Sequence, residues 1–443
     1  MVDSTAAKHI TAIIDCLNQS AEYAVLRNYA GLPDVNHNRD IDIIISAKSF
    51  QAIRKALVNA IVATGWKILT YLHSDRLVTF VCGIQEENNT ELVQWDFFMN
   101  TSVFGIVLMD ADEFLIRRKF NGFLYHVDIE GEFLDKYLYN RAVGYSYPTK
   151  YQSIRLQVEN EDMVENKLKE VCGVSSLSEC DRLSGKRILV HAMWYNMQKF
   201  PIGTIKHLIF FLCTYVRNYI CSDTGFSIGF TGPDGAGKTT VINLLIERLS
   251  PVFAKAHRYY HFRPELFGNI GDVAYAAGIK KTVDRKYNNP HRGGETGNLN
   301  SLFRLFYYAT DYILGYLLRV KPTIRITRLA IFDRYYTDII CDSRRSRIFL
   351  NYKFLYWFGR LFIPALDYNI LLTASVETIL SRKDELDPQK INLINEKIDF
   401  LSEKKGYSKV LNEKDPDDAV AIILNGIFDC QHNKILNQLR KKE

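Results

Sequence analysis

The sequence predicts an α/β protein: a C-terminal half built on a parallel sheet, an N-terminal α+β domain, and a helical connector between them. Three observations predict it. An apolar strand over 226–231 runs into the glycine-rich loop Gly232-Pro-Asp-Gly-Ala-Gly-Lys-Thr239 and then into an amphipathic helix. Strands and helices alternate from 226 to 405, which implies parallel strands joined by crossover helices. A looser alternation fills 1–150, where one strand carries both Asp40 and Asp42.

The elements follow in order. In 1–150 the pattern predicts a helix over 10–20, a strand over 41–45, a helix over 49–63, and strands over 78–82 and 92–98 separated by a polar turn at 85–90. Residues 151–222 read as a helical connector with a loop near 173–185. In 223–443 the strands fall at 226–231, 257–262, 328–332 and 368–373, and the helices at 239–249, 299–319, 350–360, 376–383 and 389–405. The stretch 280–298 is rich in Lys, Arg, Asn and Gly without periodicity, and reads as a loop or lid.

The chain has 443 residues, 47% hydrophobic and 24% charged, enough for two or three domains. A net charge of +6 suits a partner bearing phosphate or other acid groups. It lacks the concentrated basic stripe of a nucleic-acid binder, so no nucleic-acid partner is expected. The eight cysteines are scattered and form no C-x-x-C pair, which points to a reducing cytoplasm. No basic-then-apolar leader pattern opens the sequence. The most apolar run, 207–216, is half the ~20 residues of a membrane span. A core or inter-domain helix is its leading reading, and peripheral contact with the inner-membrane surface the lesser one. The oligomeric state is not legible.

The loop carries the chemistry. Glycines let the backbone N–H groups of Gly232, Gly235, Ala236 and Gly237 curl toward phosphate oxygens, and the N-terminus of the next helix, at Lys238, Thr239 and Thr240, adds partial positive charge. Lys238 reaches the β- and γ-phosphates of ATP, and the Thr239 hydroxyl ligates Mg²⁺. Asp234, which phosphate binding does not need, faces the acceptor. The strand at 328–332 delivers Asp333 and Arg334 to the sheet edge where such folds hold ligands. Asp333 orders Mg²⁺ or takes the acceptor's proton there, and Arg334 grips a moving phosphoryl group; a structural ion pair is the alternative. Arg263, in His261-Phe-Arg-Pro264, binds acceptor phosphate or carboxylate, or is a surface arginine before a turn proline. Arg382, at the end of the helix over 376–383, closes over the triphosphate.

In this order the motifs resemble the thymidylate kinase family of P-loop phosphotransferases. The resemblance rests on Asp234–Thr239, on Asp333-Arg334-Tyr335 and on the lid arginine Arg382, and spans roughly 224–430. The family's Arg-Glu-Pro-Gly-Gly-Thr segment is reduced here to Phe262-Arg263-Pro264, and Thr337-Asp-Ile-Ile340 follows the Asp-Arg-Tyr motif. The chain is more similar to thymidylate-kinase-like proteins associated with surface-polysaccharide synthesis, with Asp342-Ser-Arg344-Arg345-Ser-Arg347 as its arginine-rich stretch. The resemblance implies phosphoryl transfer from ATP–Mg²⁺ to a sugar, glycan or nucleotide, with Lys238, Asp333, Arg334, Arg382 and Asp234 catalytic and Arg263, Arg344 and Arg345 on the acceptor. An authentic thymidylate kinase and a non-catalytic NTP-binding module are the alternatives.

In the N-terminal part, Asp40 and Asp42 point to one face of a strand. At a separation of ~4 Å two carboxylates repel by roughly 4 kcal/mol at an effective dielectric of 20, a conflict that a divalent cation removes. Asp96 on a second strand offers a third carboxylate. The alternative is a turn residue followed by a solvated aspartate. Leu26-Arg27-Asn28, Arg39-Asp40-Ile41-Asp42 and Gln94-Trp95-Asp96 resemble the nucleotidyltransferase superfamily over about residues 20–145, without its Gly-Ser motif. The resemblance implies Mg²⁺ at Asp40, Asp42 and Asp96 in an active or a binding-only domain.

Overall fold

A computed structural model of the chain describes residues 4–34, 36, 40–87, 89–221, 225–250, 252, 257–268, 297–325, 328–383 and 387–440. Arg39 and most of the expected 280–298 loop lie outside them. The fold is α/β and divides into two compact units: Met1–Ile84 with Glu91–Cys221 and Ile435–Glu443, and Gln85–Thr90 with Ser222–Lys434. The helices of 151–221 belong to the first unit.

The first unit is built on a seven-stranded sheet, ordered Lys67–His73, Leu77–Glu86, Asn89–Phe98, Asp40–Ile45, Tyr23–Val25, Tyr125–His126 and Lys119–Phe120. It is mixed: Asp40–Ile45 runs parallel to Asn89–Phe98 and antiparallel to Tyr23–Val25. Helices Thr5–Ser20 and Ala47–Ala63 bury apolar stripes such as Ile10, Ile13 and Leu17 against Trp66, Trp95 and Phe97. Ser4 and Ser46 cap these helices, each accepting a hydrogen bond from the backbone N–H three residues on. A second core gathers Ile44, Phe114, Phe133 and Leu138 under helix Ile129–Val143. The strands at 23–25 and 67–73 are absent from the sequence reading; the first has only three residues, too few for a periodic signal.

The second unit is built on a five-stranded parallel sheet, ordered Arg258–His261, Leu329–Asp333, Phe226–Thr231, Tyr368–Thr373 and Tyr407–Leu411. Its first strand in sequence is the middle one in space. Strands on both sides satisfy its backbone, so all six residues of Phe226–Thr231 are buried. The predicted helix over 299–319 ends earlier: Asn298–Gly315 is α-helical, and Tyr316–Val320 continues it as a wider turn. The last strand, Tyr407–Leu411, and the helix Pro416–Arg440, as far as Lys434, complete a pattern that the sequence reading stopped short of.

Candidate phosphate site and acidic cluster

The loop leaves the C-terminal end of the middle strand. Gly232 has no room for a side chain: an added Cβ would lie 1.9 Å from the Leu372 carbonyl oxygen. Gly235 and Gly237 hold φ of +92° and +84°, a region that glycine enters freely. Gly237 starts helix Lys238–Leu249 with no side-chain cap, so the first N–H groups of that helix face the curl. Thr239 and Thr240 are exposed on its first turn.

Lys238 is buried, and its Nζ donates to the Gly232 and Pro233 carbonyls at 2.8 Å each. The ammonium therefore lies folded into the loop. Burial pulls its pKa down to about 8, Arg334 adds to the shift, and Asp234 opposes it.

The structure brings Asp234 and Arg334, 100 residues apart, into one hydrogen-bonded group. Arg334 Nη2 donates to Asp234 Oδ1, and Arg345 Nη2 donates to Asp234 Oδ2. Arg334 Nη1 also donates to Asp338 Oδ1 at 2.8 Å. Arg334 itself adopts φ +76°, a left-handed backbone rare outside glycine, and its N–H is tied to the Phe230 carbonyl at 2.9 Å. Asp333 accepts from the Tyr259 hydroxyl through Oδ2 at 2.7 Å, whereas its Oδ1 is buried with no hydrogen-bond partner among the described residues. That orphaned oxygen, the exposed Thr239 hydroxyl and the bare glycine curl fit a metal-bound triphosphate.

The remaining predicted residues divide. Arg382 lies beside the curl, 3.9 Å from a Cβ built on Gly237, and donates to the Asn412 and Glu413 carbonyls at 2.8 and 3.1 Å. Arg344 is exposed on the short helix that carries Arg345. Arg263 is buried, donates to Asp311 at 2.9 Å and lies over the Tyr308 ring at 4.7 Å, so its guanidinium serves the packing of helix Asn298–Gly315.

Three neighbours are missing from the sequence reading. Asp338 sits four residues beyond Arg334, a spacing that was visible in advance. Tyr259 reaches Asp333 only because Arg258–His261 pairs with Leu329–Asp333. Asn412 donates to the Ala236 carbonyl at 2.9 Å from 176 residues away, and nothing local announces it.

In the first unit, Asp42 pairs with Asp96 in register across parallel strands. Asp40, Asp42 and Asp96 offer oxygens that all lie within 4.8 Å of one another. Arg27 Nη2 meets Asp42 at 2.5 Å, and its Nη1 meets Asp135 at 3.0 Å. Asp96 accepts from Thr79 at 2.5 Å and from Gln94 at 2.8 Å. Burial raises Asp42 to about 6; Arg27 pulls it down, and Asp96 and Asp40 push it further up. Glu132, raised to about 7 mainly by burial, feels both Arg27 and Asp135. The donor set is all oxygen, the chemistry of Mg²⁺, Ca²⁺ or Mn²⁺.

No protein-family model matches the chain. No curated protein matches it. Among solved structures, the chain is similar to thymidylate kinase from Ehrlichia chaffeensis at 16% identity and a TM-score of 0.30, over 46% of this chain and 98% of that one. A likeness that distant carries neither activity nor substrate.

Proposed function

We propose that the second unit is an ATP-dependent phosphotransferase whose acceptor is a sugar, a glycan or a nucleotide. One observation carries the reading: the glycine curl with Lys238 and the Asp333–Arg334 pair meet at the same edge of a parallel sheet, joined through Asp234. The loop N–H groups and Lys238 hold the donor phosphates. Arg334 and Arg382 balance charge on the moving phosphoryl group, and Arg345 and Arg344 belong to the acceptor side. Thr239 and Asp333 would hold Mg²⁺, which supplies neutralisation of the β- and γ-oxygens when bound. Asp234 or Asp333 orients the attacking oxygen. In the first unit, Asp40, Asp42 and Asp96 bind a divalent cation in a nucleotidyltransferase-like domain.

A second reading has one observation in its favour. Arg334 and Arg345 are already bonded to Asp234, as in a binding module that opens when nucleotide arrives. One experiment separates the two: the full chain with γ-labelled ATP and Mg²⁺ against sugars, acidic glycans and nucleotides, thymidine monophosphate included. Transfer to any acceptor supports the phosphotransferase and names its substrate class. Nucleotide binding with no transfer to any of them establishes the module, and no nucleotide binding ends both.

A further inference from the structure

Helices Gly185–Lys199 and Pro201–Cys221 follow one another with only Phe200 between them. On the second, Ile202, Ile205, Ile209, Leu212, Val216 and Ile220 recur at steps of three and four residues, which places them on one side of the helix. All six are exposed, from 44% at Val216 to 70% at Ile202. A different side does the packing. Thr204 and Thr214 are buried, and Phe211 lies so close to Gly105 that an added Cβ would come within 2.7 Å of it. The preceding helix adds Trp194, 64% exposed, and the junction adds Phe200, 70% exposed. A continuous apolar face of this kind marks a binding surface.

Charge decides what covers it. Residues 185–221 contain Lys186, Arg187, Lys199, Lys206 and Arg217 and no Asp or Glu. At the chain's average of 50 acids in 443 residues, a stretch this long would hold about four. All five basic residues are exposed; Arg217 also donates through Nη2 to the His73 carbonyl at 3.3 Å. A second copy docked face to face would bring these cations together with no acid on either helix to answer them. An anionic lipid surface complements both features: acyl chains take the isoleucine stripe, and headgroup phosphates take the lysines and arginines. Trp194 and Tyr215 have the amphipathic rings that settle at headgroup depth. No helix among the described residues is long and apolar enough to cross a membrane.

We propose that helices Gly185–Lys199 and Pro201–Cys221 lie flat on an anionic bilayer, with the Ile202-to-Ile220 stripe at the acyl boundary and Lys206 and Arg217 on lipid phosphates. This stands independently of what the second unit catalyses.

The test is flotation of the full chain at low salt with phosphatidylcholine vesicles, with and without about one-third phosphatidylglycerol. The chain floats with the anionic vesicles and stays behind with the neutral ones. In Lys206→Gln with Arg217→Gln, partitioning falls about fivefold for each charge removed. Ile209→Glu lowers it by at least about tenfold. These side chains are exposed, so the variants keep the parental circular dichroism and melting. The proposal is overturned if the chain stays behind with anionic vesicles, or if neutral vesicles carry it equally well. It is also overturned if the chain elutes as a dimer that Ile209→Glu splits, because the face then belongs to a second copy.

Discussion

The two units arrange charge in opposite ways. In the first, three carboxylates converge from neighbouring parallel strands, and Arg27 answers one of them, Asp42. In the second, the carboxylate at the loop is shared by two arginines, and one of these also holds Asp338. Converging carboxylates leave excess negative charge on stiff strands, and such a site gains by taking up a cation. Paired arginines leave little net charge, and such a site gains by exchanging one anion for another, an aspartate for a phosphate. The pKa values carry the same contrast. Asp42 is held up at about 6 by burial and like charge, whereas Lys238 is held down at about 8 by burial and Arg334.

The contrast breaks most visibly at Lys238. Lys238→Ala lowers phosphoryl transfer by roughly 10³-fold, as removal of a preorganised charge-stabilising donor does, while the melting transition stays cooperative. Parental turnover in that variant would put the active site elsewhere. Next in size is Gly232→Ala, where the new methyl meets the Leu372 carbonyl oxygen. Urea unfolding should show a loss of about 2–3 kcal/mol, with metal binding in the first unit unchanged. Unaltered stability would mean that the loop does not sit tightly against the neighbouring strand.

Asp42→Asn sharpens the comparison from the other side. Calorimetry with Mn²⁺ or Mg²⁺ should show affinity lowered by at least about tenfold, with ATP binding to the second unit untouched. Equal metal binding in variant and parent would remove the first unit's cation site. The smallest effect is on pH. A phosphate beside Lys238 favours the ammonium, so ATP affinity measured without metal falls several-fold as pH rises through about 8, where the free protein loses that proton. Affinity flat from pH 7 to about 9.5 would mean that Lys238 does not contact the donor.

Much of the second unit was legible in the amino-acid order. The strand Phe226–Thr231 and the strand Tyr368–Thr373 fall where their apolar runs stand, and the loop and its following helix obey local rules of glycine, helix start and periodicity. The first unit was less legible, because short strands such as Tyr23–Val25 are defined by their partners rather than by a pattern of their own. The sequence reading named Asp40, Asp42 and Asp96 together; that Asp96 stands directly across from Asp42 is decided by strand register.

By itself, then, the sequence determined the phosphate curl, the paired aspartates and the alternation that makes an α/β protein, since each depends on residues within one or two turns of chain. Tertiary structure decided which charges meet. It joined Arg334 and Arg345 to Asp234, turned Arg263 inward to Asp311, and brought Asn412 to the loop and Arg27 to Asp42. Those partners come from distant strands and helices. Ion pairs and hydrogen bonds act only over a few ångströms, so no spacing in the sequence could announce them.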